Sequence, residues 1–253
     1  RGGKGEGGGK IVLLLLRSGY LSAAEKPIAD STPVAAAARR TEFTPFLSLL
    51  QRNEFRSTHP DTEEPGKASN SSPILFDASR NRLYVVNLDS HSHSLSILDA
   101  ATDRKIAELP VGRNPRSVSL AARGSRIVVA NMGDDSVSVL DAESLRPLGQ
   151  VAVGDEPYGI VASPGADEVF VACSRADALF VLDPYSLKVL ARIPVEPNPR
   201  GLAISADGAR LYVTHFFSGR VSVLDCRERK VLASISTGRD SNMAQSLVIH
   251  PDG

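Results

Sequence analysis

The chain has 253 residues, 42% of them hydrophobic and 23% charged, with Lys plus Arg equal to Asp plus Glu at 29 each, so its formal net charge is zero. That balance leaves no overall field to draw in nucleic acid or an anionic membrane surface. Two cysteines are too few for a disulfide framework, and with no Trp and an ordinary apolar content the composition names no chemistry.

The chain opens on a Gly-rich basic stretch, followed by an apolar run over residues 11–16 that Arg17 interrupts. A bilayer takes roughly 20 apolar residues to cross, so no transmembrane segment is expected. A basic start, an apolar centre and Ser22-Ala23-Ala24 have the outline of a degraded signal peptide, which implies a periplasmic or extracellular, secreted protein; a poorly ordered leader is the plainer reading of the same residues. Residues 25–70 scatter Pro, Ser, Thr and charge around one candidate short helix at 43–51. Residues 1–70 are therefore expected to be leader and linker, largely irregular, loosely ordered or draped on the first repeat.

From Ser71 the pattern changes. Runs ending in Leu-Asp place aspartates at 99, 141, 183 and 225, always 42 residues apart. Units can be drawn at 71–112, 113–154, 155–196 and 197–238, with a fifth starting over 239–253. A period of that size marks a repeat architecture. Each unit opens after a proline, at Pro73, Pro115, Pro157 and Pro199, with a run that is small and apolar in units two to four. Proline is tolerated at a strand entrance, and small side chains suit a crowded innermost strand. The second run, such as Leu211-Tyr212-Val213-Thr214, is rich in β-branched and aromatic residues. The third ends in the Leu-Asp pair, whose carboxylate is expected to accept hydrogen bonds from the following turn. The fourth, such as 230–237, carries the most charge, as an outer edge strand should.

Four antiparallel strands per unit, apolar inside and charged outside, describe blades of a β-propeller. The expected fold is all-β, an incomplete propeller of about four and a half blades out of seven, in a chain that is a fragment at both ends. A β-sandwich is the structural runner-up, but it does not call for near-identical units. Such an open arc exposes apolar faces on its terminal blades and is expected to self-associate.

Arg210-Leu211-Tyr212-Val213-Thr214 with Val221-Ser222-Val223-Leu224-Asp225, and the weaker Leu83-Tyr84-Val85-Val86-Asn87, resemble the YVTN family of β-propeller repeats, over residues 71–253. The resemblance implies a ring of about seven blades and no particular activity. A narrower similarity, in 214–220 and 238–246, is to bacterial propellers that continue into a c-type cytochrome or di-haem peroxidase-like domain. Haem attachment needs Cys-x-x-Cys-His, which these 253 residues do not contain. No cofactor is therefore expected in the fragment, and haem would belong to a domain beyond it.

Strand parity defines an entry face, where first strands begin and second strands end. It gathers Asn87, Asn131, Cys173 and His215 at strand-two ends, His91 and His93 in a long loop, and Arg116, Tyr158 and Arg200 at the entrance of first strands near the axis. Cys226 and His250 fall on the opposite face, too far from Cys173 for a disulfide, so free thiols are expected. Arg116, Tyr158, Arg200, Asn131, Cys173 and His215 are the candidate ligand- or partner-binding residues. The two arginines suit an anion at the channel mouth, or backbone carbonyls of an adjacent blade. Cys173 and His215 suit a metal shared with a loop histidine, or plain capping of turns. No catalytic residues are nominated. The pattern favours an exported binding or scaffolding propeller for a protein partner or fused domain, with a redox assembly as the alternative. A hydrolase of the lactonase kind would need acidic or His ligands converging where Arg and Tyr stand.

Overall fold

The computed structural model describes residues 11–12, 69–88, 92–164, 167–238 and 243–249. The signal-like run beyond residue 12, the short helix expected at 43–51, His91, Asn242 and His250 lie outside them. Every regular element among the described residues is a strand, and none of them forms a helix long and apolar enough to cross a membrane.

In chain order the strands are β1 (Ile11–Val12) and β2 (Ser69–Asn70); then β3 (Ile74–Asp77), β4 (Arg82–Val86), β5 (Ser94–Asp99) and β6 (Arg104–Pro110). Next come β7 (Pro115–Ala121), β8 (Arg126–Asn131), β9 (Ser136–Asp141) and β10 (Pro147–Ala152), then β11 (Pro157–Ala162), β12 (Val169–Cys173), β13 (Ala178–Asp183) and β14 (Lys188–Pro194). The last are β15 (Pro199–Ile204), β16 (Arg210–His215), β17 (Arg220–Asp225), β18 (Lys230–Ser236) and β19 (Val248–Ile249). Each of the four repeat units folds as its own antiparallel sheet with strands in sequence order, and β1 pairs with β19.

The Leu-Asp endings do what their chemistry allows. Asp99, Asp141 and Asp183 each accept two backbone N–H bonds through Oδ1, from residues two and three further on, and Asp225 accepts the N–H of Glu228. These bonds close the turn into the outer strand. The backbone N–H of Thr102 and Ser144, and the Ser186 hydroxyl, hold the carboxyls of Asp99, Asp141 and Asp183 below the usual range.

Sheets pack face to face through residues at repeated positions. Val118, Ile160 and Leu202, on the inner strands, are buried against the sheet that precedes their own: Val118 with Tyr84 and Leu95, Ile160 with Val128 and Val137, Leu202 with Phe170 and Leu179. In the first sheet the same position in the ladder is Ile74, 54% exposed, with Phe76 two residues on at 50%.

The inner strands approach so closely that side-chain size is dictated. The Ser117 hydroxyl donates to the Tyr158 carbonyl at 2.7 Å. One repeat later a Cβ on Gly159 would sit 2.0 Å from the Arg200 carbonyl oxygen, and in the next a Cβ on Gly201 would sit 2.5 Å from that of Gln245. A carbonyl of the following unit thus meets the same spot each time: Ser117 hydrogen-bonds it, and Gly159 and Gly201 leave it room.

Connections between sheets repeat too. The N–H groups of Asn114, Glu156 and Asn198 donate to His93 Nδ1, Asp135 Oδ1 and Asp177 Oδ1, at 3.3, 2.9 and 3.0 Å. His93, expected as a loop ligand, therefore serves as the first unit's counterpart of Asp135 and Asp177.

The segment before the first sheet takes an unexpected course. The sequence leads one to expect it loosely ordered or draped on the first repeat; its described end, 69–72, runs along the inner edges of the fourth and second sheets. Asn70 pairs with Ala203 and Ser69 with Ile204 on β15. The Ser71 N–H donates to the Leu202 carbonyl at 2.8 Å, and Val118 on β7 donates to the Ser72 carbonyl at 2.9 Å.

Candidate functional site

The inner strands of sheets two to four share a defect that the first lacks. Pairing shifts between Pro115 and Ser117, between Pro157 and Gly159, and between Pro199 and Leu202, whereas β3 pairs with β4 in unbroken register. Each shift is a bulge in which two residues oppose one, and a bulge re-aims the side chain that has lost its place in the ladder. The residues re-aimed are Arg116, Tyr158 and Arg200.

They form a stack. The Arg116 guanidinium carbon lies 5.6 Å from the Tyr158 ring centroid and that of Arg200 4.6 Å from it; Arg200 also lies 3.7 Å from the Phe216 ring. The stacking order is thus Arg116, Tyr158, Arg200, Phe216, from units two, three, four and four, with successive rings and cations at contact distance. Arg116 Nε donates only to the Met132 sulfur, at 3.2 Å. Arg200 Nε is enclosed without a hydrogen-bond acceptor. Neither arginine has a carboxylate partner among the described residues. By contrast Arg80, Arg126, Arg175, Arg210, Arg220 and Arg229 each have one within 3.5 Å.

Beside the stack, Phe217 is 69% exposed, with its ring edge-on to Phe216 at 5.0 Å, and Met243 is 49% exposed, its N–H donating to the Phe216 carbonyl. The site therefore joins unpaired cations to an exposed apolar corner. Such an arrangement can hold an anionic group whose neighbour is apolar; it contains no nucleophile, general base or metal-ligand cluster.

The other three candidates stand apart from this stack. Asn131, Cys173 and His215 occupy equivalent strand ends as expected, but all are fully buried. Asn131 Nδ2 donates to Ser136 and Ser138, at 3.0 and 2.9 Å, as Asn87 does to Ser94 and Ser96. His215 Nδ1 is 3.2 Å from the Pro197 carbonyl, which can only accept, so Nδ1 carries the proton and Nε2 accepts from the Ser222 hydroxyl at 2.8 Å. Burial pushes the His215 pKa down, against the pull of the Pro197 carbonyl. Cys173 packs in an apolar cluster with Val128, Ala130 and Ile160, and burial pushes its thiol up to about 12, as it does that of Cys226. Both cysteines are free thiols. Among the described residues no three His, Cys, Asp or Glu side chains gather as a metal site.

Sequence reasoning missed Phe216 and Met132. A Pro-x-Ser or Pro-x-Gly signature at 115–117, 157–159 and 199–201, absent from 73–75, was the available signal for the bulged residues.

No family model and no curated protein sequence matches the chain. Solved structures do. Kuenenia stuttgartiensis hydrazine synthase is similar at 28% identity and a TM-score of 0.63, over 74% of this chain and 53% of that one. The β-propeller domain of Myceliophteria thermophila Cps50 (Swd1) matches at 17% identity and a TM-score of 0.59, over 71% and 60%. The fold is a β-propeller. Dihydro-heme d1 dehydrogenase NirN, in complex with DHE, shares it at 18% identity and a TM-score of 0.57, over 67% of this chain and 38% of that one. The chain spans about half the length of the hydrazine synthase chain it matches. In the propeller the four sheets are blades, β7, β11 and β15 are innermost, and the stack lies where blades two to four meet near the axis.

Proposed function

We propose that this propeller is a non-enzymatic binding module that docks a protein partner, or an attached domain, on its entry face. The observation that carries the reading is the stack of Arg116, Tyr158, Arg200 and Phe216. It holds two guanidiniums that no carboxylate of the described chain neutralises, next to exposed Phe217. Desolvating aromatic and arginine side chains against a partner is a strong source of interface energy. Unpaired cations with an apolar neighbour are what such a docking point requires.

The reading is tested by placing a photo-crosslinking benzoylphenylalanine at position 217, with a control at the exposed outer-strand residue Leu190, in cells that make the protein. Position 217 is expected to capture one defined polypeptide, position 190 none, and Arg200→Glu to abolish the capture. Equal capture from both positions, or turnover of a substrate by the propeller itself, would overturn the reading.

The resemblance of 214–220 and 238–246 to propellers that continue into a c-type cytochrome domain favours a second reading, in which the propeller supports a redox domain. A Cys-x-x-Cys-His motif in the encoded protein past Gly253 supports it, and the absence of that motif removes it.

A further inference from the structure

The stack admits a sharper statement, which rests on the docking reading above. Arg200 lies between the Tyr158 and Phe216 rings, at 4.6 and 3.7 Å from their centroids. Rings on both sides leave a guanidinium only its edge for hydrogen bonding, and with Nε enclosed, the edge on offer is the pair of terminal amino groups. Two parallel N–H donors in one plane match the two oxygens of a carboxylate. Arg116 differs: one ring flanks it, and the Met132 sulfur occupies its Nε. It supplies charge to the site rather than a fixed fork.

Carboxylates on the loops of blades two and three are already committed. Asp135 and Asp177 accept the N–H of Glu156 and Asn198, Glu156 pairs with Arg175, and Asp134 accepts from Arg113 and Ser136. None of them pairs with either stacked arginine. Beside the fork lie Phe217 and Met243, both exposed.

We propose that Arg200 is a carboxylate clamp for a peptide segment in which an acidic side chain or chain-terminal carboxylate adjoins an apolar side chain, the carboxylate meeting the guanidinium edge and the apolar group covering Phe217 and Met243. Tyr158 and Phe216 hold the fork in place before the ligand arrives.

The test follows the Arg Nε–Hε resonances of the full 253-residue chain by NMR during titration with N-acetyl-L-phenylalanine, which carries a carboxylate beside an aromatic ring. Its primary amide and inorganic phosphate serve as separate arms. The Arg200 resonance is expected to shift saturably with the acid and to need at least tenfold more of the amide. Arg200→Lys, which keeps the charge and loses the fork, is expected to weaken the acid at least tenfold. Arg116→Lys is expected to weaken it less than threefold. Phe217→Ser leaves every stacked residue in place and is expected to weaken the acid while leaving phosphate unchanged. Equal response to acid and amide, an unaltered affinity in Arg200→Lys, or phosphate displacing the acid at equal concentration would overturn the clamp. Crosslinking from position 217 without acid binding removes only the clamp; acid binding without crosslinking removes only the docking of a partner.

Discussion

Gly159 shows how far a single hydrogen atom decides this structure. Its φ is unexceptional; what it needs is room, because the Arg200 carbonyl would stand 2.0 Å from a Cβ. Backbone cannot swing aside as a side chain would, so Gly159→Ala is expected to cost at least the ~1–3 kcal/mol of ordinary overpacking. Gly124 provides the comparison: a Cβ there meets nothing nearer than 3.8 Å, and only its positive φ of 81° opposes substitution. Gly124→Ala is expected to cost about 1 kcal/mol. Urea denaturation of the two variants checks the order.

His215 gives a second prediction at the same scale. Burial lowers its pKa in the folded chain from the ordinary value of 6.5, so the unfolded chain binds a proton at a higher pH than the folded chain does. The stability contributed by neutral His215 is complete above pH 6.5 and is lost as pH falls below it toward the lowered folded value. His215→Asn installs the residue that stands at this position in units one and two, and it does not titrate. The variant is expected to lose less stability than the parent between pH 7 and pH 5, measured by denaturant midpoints across that range.

At the scale of the blade, one site is filled in three ways. In blade two, Asn131 bonds Ser136 and Ser138 over Gly112; in blade three, Phe180 lies over Gly154 beside Cys173 and Ala178; in blade four, Glu196 pairs with Arg220 near His215. The sets are matched within each blade. Asn131→Cys alone strands two serine hydroxyls from one partner and is expected to cost about 1–3 kcal/mol. Adding Ser136→Ala and Ser138→Phe imports the solution of blade three, and is expected to bring the loss back within about 1.5 kcal/mol. Comparing single, double and triple variants by urea denaturation measures that coupling.

The same blades show what a sequence discloses. Strand order, the Leu-Asp turns and the small residues of inner strands were legible, because each depends on neighbours within a few positions or on the 42-residue period. Parity placed Asn131, Cys173 and His215 at equivalent strand ends, but an end is not a direction, and all three are fully buried. Arg116, Tyr158 and Arg200 were placed near the axis; that they stack goes with the bulges beside them, where Ser117, Gly159 and Gly201 meet a carbonyl across a blade boundary. The course of residues 69–72 had no local signal at all. Ser-Asn-Ser-Ser is a poor strand former, and its conformation is set by the edges it meets.

For the molecule as a whole, the blade faces make one prediction. The position that is buried as Val118, Ile160 and Leu202 is exposed as Ile74, with exposed Phe76 on the same face two residues on, so blade one presents a face suited to another blade. The 253-residue chain on its own is expected to self-associate through it, and Phe76→Ser with Ile74→Thr to shift it toward monomer with little change in melting temperature. Sedimentation velocity over a concentration series checks this, and unchanged assembly would show that another surface is responsible.

The strip from Ser69 to Ser72 carries a last consequence. By bonding to β15 and β7 it occupies main-chain groups that would otherwise stand open along the hub. Those groups belong to apolar, β-prone strands, the kind of template on which fibrils grow. Proteolysis just before Pro73 would bare them, so a clipped chain should seed ordered aggregates long before its blades unfold.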